Sequence, residues 1–463
     1  MKIKKLMTTM AVAVFAMTAL NANAGNVDAT KARTIANQFI HQQNAKGLFN
    51  AHTADLVLVH AEASRASSDA NAYYAFNVKG GGFVIIAGED RAPQVLGYSD
   101  KGYLDFNKLP YGLQGLLNGY KQEIEFLQKY EGNDLVPVHQ TLNASSGVDP
   151  LIKTTWGQED PYDWQCPIYQ GQYCVVGCVA TAMAQVMKYW QFPESSASIR
   201  SYYCGRISMT IPALPATTFN YRLMINSYSH WDWDNSQLIQ DTYTDAQAQE
   251  VAKLSRYCGQ AVEMNYSPTG SGAYSDDQLS AMKSFGFRSS AQLIQKSGWW
   301  SSYSTTQWEA KIRTELDAGR PILYSANDSN GGGGHAFICD GYNSDGKFHF
   351  NMGWYGTCDG WYVSTALNMT HRDGDYLQFN SGHEMIIGIQ PPAGWEPPTY
   401  TIMGDVNMDG DVTIADVTAL IDYLLGGDDS AIDIEAANVN GNGDVTIADV
   451  TALIDMLLSG DNN

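Results

Sequence analysis

The chain has 463 residues, 44% of them hydrophobic, and its 28 basic side chains against 49 acidic ones leave a formal net charge of −21. A guide of about 150 residues per domain suggests three units, each large enough for a core. The charge is partly local: residues 402–463 hold thirteen Asp plus Glu and no Lys or Arg, and with no basic stripe elsewhere the composition excludes nucleic acid and anionic membranes as partners.

In chain order, residues 1–24 have a lysine-rich start, an apolar core and an Ala22-Asn23-Ala24 ending, which reads as a cleaved signal peptide. The mature chain is therefore expected to be secreted or associated with the cell surface. No cysteine follows the apolar core, so no lipid anchor is expected, and no other apolar run reaches the length of a membrane span. Residues 25–147 combine a polar amphipathic opening, a strand-rich middle (AYYAFNVKGGGFVIIAG) and a helical run (GLQGLLNGYKQEIEFLQKY). HQTLNASSGVD, residues 139–149, runs across their end, and its small polar residues suit proteolytic cutting.

Residues 148–390 are rich in Tyr, Trp and Gly and contain GCVATAMAQVMKYW. From Cys178 the apolar Val179, Met183, Val186, Met187 and Trp190 recur at helical spacing, marking one buried helix face with the cysteine at the helix start. Unpaired amides and the helix dipole favour a thiolate there, and a neighbouring imidazolium would favour it further. The plain alternative is a half-cystine, common in exported proteins. Of seven cysteines, setting Cys178 aside leaves an even six, as a free nucleophile requires. Cys174 and Cys178 also form a CxxxC pair, yet no second pair of zinc ligands accompanies it.

Four glycines precede His335 and the strand-like AFICDGY follows, a setting that lets a base enter a cleft. His349 alternates with Phe348 and Phe350 and reads as a strand residue facing solvent or a neighbour. A catalytic imidazole needs a group on its other nitrogen, and the stretch from Asn351 to Trp354 can supply one. Acyl transfer also needs donors for a developing oxyanion. Gln158, in TTWGQEDPYD, is the natural side-chain donor beside the Cys178 amide; alone it would be an ordinary surface glutamine.

The separated blocks GGGFVIIAGEDRAPQVLGYS, WGQEDPYD, GCVATAMAQVMKYWQFP, WDWDN, GGHAFICDGY and FHFNMGWYG, spread from about Asn77 to Ile389, together resemble zymogens of the streptopain family of papain-like cysteine proteases. The resemblance implies an α+β fold. A helix-rich lobe would begin at Cys178 and a sheet-rich lobe would include the His335 to Tyr362 strands, behind an α+β prosegment that blocks the cleft until it is cut away. It also implies Cys178 as nucleophile, His335 as general base, Gln158 as oxyanion donor and Trp354 in the aromatic shell, with no catalytic cofactor. An apolar side chain two positions before the scissile bond would be preferred. This chain carries Met352 where the family usually has tryptophan after the asparagine; Asn351 is expected to orient His335, with Trp354 shielding the pair. A silent peptide-binding protein and an acyltransferase on the same scaffold are the competing readings.

After a proline-rich linker, residues 391–401, the tail at 402–463 repeats GDVTIADVTALID with a period of 33 residues. The first copy offers Asp405, Asn407, Asp409, Gly410 and Asp416 at positions 1, 3, 5, 6 and 12 of a calcium loop, with a backbone carbonyl from Asp411 at position 7. The second offers Asn438, Asn440, Asn442, Gly443 and Asp449, with Asp444 at position 7, and its fewer carboxylates predict weaker calcium binding. Each loop leads into a helix. The duplication resembles a dockerin, which implies a small all-α calcium module and a cohesin-like partner on a scaffold; a calcium-stapled stalk is the alternative. Recognition positions hold Ile414-Ala415 and Ile447-Ala448 in both copies, which predicts two equivalent docking orientations.

Overall fold

The computed structural model describes residues 25–46, 56–131, 135–137, 147–232, 237–296, 303–327, 334–366, 369–371, 382–397, 402–407, 412–426 and 432–459. The expected signal peptide, most of the expected cutting stretch, Asp409 and Asp411 lie outside them. The chain divides into two compact units, Met1–Ala393 and Gly394–Asn463. No described helix is long and apolar enough to cross a membrane.

The first unit is α+β and is organised on one antiparallel sheet. Its strands are β1 (Leu56–Ala63), β2 (Asn71–Val78), β3 (Phe83–Ala87), β4 (Val95–Ser99), β5 (Gln292–Gln295), β6 (Ile322–Asn327), β7 (Gly334–Tyr342), β8 (Phe348–Asn351), β9 (Gly360–Tyr362) and β10 (His383–Ile387). They lie in the order β1-β2-β3-β4-β9-β8-β7-β6-β10-β5. The expected prosegment and catalytic region therefore share one sheet, joined where Tyr98 and Gly97 of β4 pair with Trp361 and Tyr362 of β9. Gly97 makes that join possible, because a Cβ there would stand 2.4 Å from the Tyr362 ring.

Helix α1 (Ala29–Asn44) is capped by Asp28, which accepts the Lys31 amide, and buries Ala32, Ala36 and Ile40 in a stripe against β2 and β3. Helix α2 (Tyr111–Lys129) buries Leu113, Leu116, Leu117, Tyr120, Ile124 and Leu127 against β2, β6 and β7. It thus crosses from the strands of the expected prosegment onto those of the expected catalytic region. Helix α3 (Cys178–Trp190) departs from the expected single buried face: Val179 through Met187 are all buried, enclosed by α4 (Asp245–Ala261), α5 (Ser275–Ser284) and β7. Ala180, Ala182 and Ala184 alternate with the larger residues, so neighbours approach closely on every side. Helix α6 (Thr305–Asp317) opens with a capping box between Ser304 and Gln307 and sets Trp308, Ile312 and Leu316 in the main core with Phe337, Phe350 and Tyr324.

The second unit packs α7 (Ile414–Leu424), the short α8 (Ile434–Ala437) and α9 (Ile447–Ser459) around Val406, Val417, Leu420, Ile432, Val450 and Leu453.

Candidate active site

Cys178 is the first residue of α3, and Gly177 before it adopts φ 89°, where a Cβ would lie 2.8 Å from the Met264 sulfur. This tight entry aims the thiol at β7, where Cys178 Sγ stands 3.6 Å from His335 Nδ1. Burial pushes the Cys178 thiol up, against the pull of the Ala336, Val179 and Cys178 backbone amides directed at the sulfur. Burial also pushes His335 down to about 4. Both shifts disfavour the charged forms of the pair while the cleft is closed. All seven cysteines are free thiols, so parity decides nothing; Cys178 is set apart because it alone is half-exposed while the other six are buried.

The pair opens into a cleft of about 350 Å³ lined also by Gln158, Met352 and Trp354, and by Pro110 and Gly112 from the start of α2. The helix of the expected prosegment therefore begins inside the cleft. Gly112 permits this, since a Cβ there would meet the Phe337 ring of β7 at 2.7 Å.

The Gln158 loop is held at its backbone: the Gln158 carbonyl accepts the Val176 amide at 2.9 Å. Tyr355 holds it from the other side, its hydroxyl accepting the Glu159 amide at 3.0 Å and lying within reach of the Gln158 amide. The Tyr355 ring occupies the space over Gly157, where a Cβ would stand 2.1 Å from it. Tyr355 also takes φ 57°, a left-handed conformation that costs a non-glycine residue and persists only when its surroundings impose it. Sequence reasoning passed over Tyr355; its only signal was an aromatic residue between Trp354 and Gly356.

Asn351 does not do what was expected of it. Its Nδ2 donates to the Thr154 carbonyl at 2.8 Å and to Gln185 Oε1 at 3.3 Å, while its Oδ1 accepts from Gln185 Nε2 and the Gly353 amide, both at 3.0 Å. Every donor and acceptor of the carboxamide is engaged, and none reaches the His335 ring. Asn351 instead ties β8 to the fully buried Gln185 of α3 and fixes the turn leading to Trp354. That turn has a second tie, because the Asp359 carboxylate accepts the Met352 amide at 2.7 Å. Burial pushes Asp359 up to about 6, against the pull of His349. His349 in turn pairs with the buried Asp340 at 2.6 Å, so it faces neighbours rather than solvent.

In the tail, Asp416 and Asp449 are buried at equivalent places. Asp416 accepts the Asn407 and Thr413 amides at 3.1 and 2.7 Å; Asp449 accepts those of Asn440 and Thr446 at 3.1 and 2.9 Å. Burial raises Asp449, but those amides outweigh it and hold the carboxyl below its usual range. The donor set is all oxygen, Asp405 is buried as well, and no cation of the tail's own sequence offsets the charge, which fits a hard cation such as calcium.

The sequence pattern of the Peptidase C10 family matches residues 156–362, that of the Spi protease inhibitor residues 24–124, and that of the dockerin type I domain residues 403–458. The thiol protease/hemagglutinin PrtT of Porphyromonas gingivalis is 29% identical over 408 residues, covering 82% of this chain but 44% of that protein, so the chain spans less than half of that relative. Streptopain of Streptococcus pyogenes is 29% identical over 344 residues, covering 69% of this chain and 80% of streptopain. The solved structure of a prointerpain A fragment from Prevotella intermedia superposes with a TM-score of 0.57 at 28% identity, covering 72% of this chain and 98% of that one. With the helix-borne thiol facing a strand-borne histidine, these matches place the chain in the peptidase C10 family, as a streptopain-like cysteine peptidase with a zymogen prosegment and a dockerin domain.

Proposed function

We propose that this protein is a secreted cysteine endopeptidase, with residues 25–147 as the inhibitory prosegment and 148–390 as the catalytic part. The observation that carries the reading is the 3.6 Å approach of Cys178 Sγ and His335 Nδ1 at the start of α3. As substrate enters, His335 takes the thiol proton and the sulfur attacks the scissile carbonyl carbon. The carbonyl oxygen gains the charge, facing the Gln158 side chain and the Cys178 amide. His335 then gives its proton to the leaving amine. Water, deprotonated by the same imidazole, cleaves the thioester and restores the thiol. Trp354 walls the cleft, and Asn351 acts as a positioning residue through Gln185 and the Gly353 turn. The start of α2 keeps the cleft closed until the prosegment is cut away.

For the tail we propose structural calcium held by Asp405, Asn407, Asp409, Asp411 and Asp416 in one loop and by Asn438, Asn440, Asn442, Asp444 and Asp449 in the other, and docking to a cohesin-like scaffold protein. Support comes from repeated exposed apolar side chains: Ile414 and Ile447 are each 71% exposed, Leu425 and Leu458 each 82%, with Ile421 and Ile454 between them. Matched apolar stripes on α7 and α9 suit two equivalent docking orientations.

The test is casein cleavage under mild reducing conditions by a prosegment-free form and its Cys178→Ala variant, with full-length Cys178→Ala expected to accumulate as precursor. Cleavage by the unaltered thiol form alone is expected. No cleavage by that form would favour a silent peptide-binding protein, and normal trimming of full-length Cys178→Ala would remove self-processing.

A further inference from the structure

Beside the cleft lies a second pocket of about 470 Å³, which shares His335, Ala336, Arg206 and Gly272 with it. Glu384 belongs to the second pocket alone, and its position follows from strand register. Ala336 of β7 stands opposite Ser325 of β6, and Ser325 stands opposite Glu384 of β10. Directly opposed residues share a face of the sheet, so Glu384 lies two strand spacings, roughly 10 Å, from the residue that follows the catalytic base. A hydrogen bond of 3.3 Å between Ser275 and Ser325 ties the start of α5 to this sheet, so the pocket wall is preformed.

The charges in the pocket are uneven. Glu384 Oε1 accepts from Gln295 Nε2 at 2.8 Å, and among the described residues no ion pair neutralises its carboxylate. Asp276 lines the same wall, also without an ion pair there, and Tyr274 stands 80% exposed at the rim. Among the described residues the one cation of the lining, Arg206, sits on the boundary shared with the cleft, whereas both carboxylates lie beyond it.

We infer that this pocket is a substrate subsite for a lysine or arginine side chain and that Glu384 determines the choice. Val179, Ala273 and Ala336 offer apolar surface to the methylene stem, while the cationic head reaches Glu384 and the face of Tyr274. A strictly apolar side chain would desolvate the carboxylate and bring it no countercharge. The subsite thus differs from the apolar preference that the family resemblance implied. It rests on the reading of Cys178 and His335 as the catalytic pair.

The test uses prosegment-free enzyme, a peptide library of natural sequences and mass-spectrometric reading of the cut sites. Lysine and arginine should be enriched at one fixed position within two residues of the scissile bond. Glu384→Gln should lower kcat/KM at least tenfold for a peptide with lysine at that position and change the leucine counterpart less than twofold, which also shows that the variant is folded. Glu384→Lys should turn the preference toward glutamate. Enrichment of apolar residues without basic ones, enrichment of acidic residues, which would give the choice to Arg206, or an equal loss for both peptides would each overturn the inference. Absence of all cleavage by the unaltered enzyme would instead sink the catalytic reading, and the subsite with it.

Discussion

Tyr355 is the residue that joins the Trp354 turn to the Gln158 loop, and its hydroxyl can be removed without its ring. Tyr355→Phe should lower kcat about tenfold and leave KM within twofold, because misplacing a donor that acts on the oxyanion weakens the transition state more than the bound substrate. Steady-state kinetics on a fluorogenic peptide decide it, and in combination with Gln158→Ala the two losses should be less than additive. Unchanged kcat would mean that the clamp is idle. His383 makes a second test at this scale. It is 4% exposed, its Nδ1 lies 2.5 Å from the Tyr324 hydroxyl, and burial, aided by the charge of Lys296, pushes it down to about 3. The unfolded chain titrates this group near the ordinary value of about 6.5, so below that pH the unfolded state binds the extra proton. Stability from this group is therefore lost as pH falls from about 6.5 toward 3, at about 1.4 kcal/mol per pH unit. Urea melts at pH 7, 6, 5 and 4 should show the advantage of the natural protein over His383→Gln shrinking as the pH drops; parallel pH curves would refute the assignment.

Among the elements, α2 does two jobs at its two ends. Its start lines the cleft at Gly112, while further along Glu123, 4% exposed, accepts the Thr365 hydroxyl at 2.7 Å and the Ala366 amide at 2.6 Å. Tyr120 adds a bond from its hydroxyl to the Val363 carbonyl at 2.5 Å. Anchoring is thus separate from blocking. Glu123→Ala removes a buried acceptor and strands its donors, a loss of about 1–3 kcal/mol, so the prosegment should leave more readily. Activity should appear several-fold sooner during maturation, followed by gel and peptide hydrolysis, while the fully mature enzyme shows unchanged kcat/KM because Glu123 has gone with the prosegment. An unchanged lag would mean that this anchor does not limit release.

At the scale of the whole molecule, the chain falls into two compact units with separate cores. Treatment with a chelator should leave the carboxylates within each proposed calcium loop, Asp405 and Asp416 in the first, to repel one another and loosen the second unit. Limited proteolysis should then cut the tail faster, with peptidase activity unchanged within twofold. Collapse of catalysis on chelation would show that the units depend on each other.

The helix from Cys178, the strand at His335 and the duplicated tail were legible in the sequence because each is written in local pattern: helical spacing from Cys178, glycines ahead of His335, and a run repeated after 33 residues. The complete burial of α3 was not, since α4, α5 and β7 arrive from distant parts of the chain. Nor was the role of Asn351, because the partner that claims its amide, Gln185, lies 166 residues away. Tyr355 and Glu384 were invisible for the same reason: one acts through backbone amides of a loop far upstream, the other through strand register. Sequence by itself determined which side chains could carry the chemistry, because reactivity belongs to residue types and short-range pattern. Only the tertiary structure decided that one sheet runs from prosegment to catalytic strands, which pocket adjoins the base and which polar groups are already engaged, because these depend on contacts between residues that the chain itself keeps far apart.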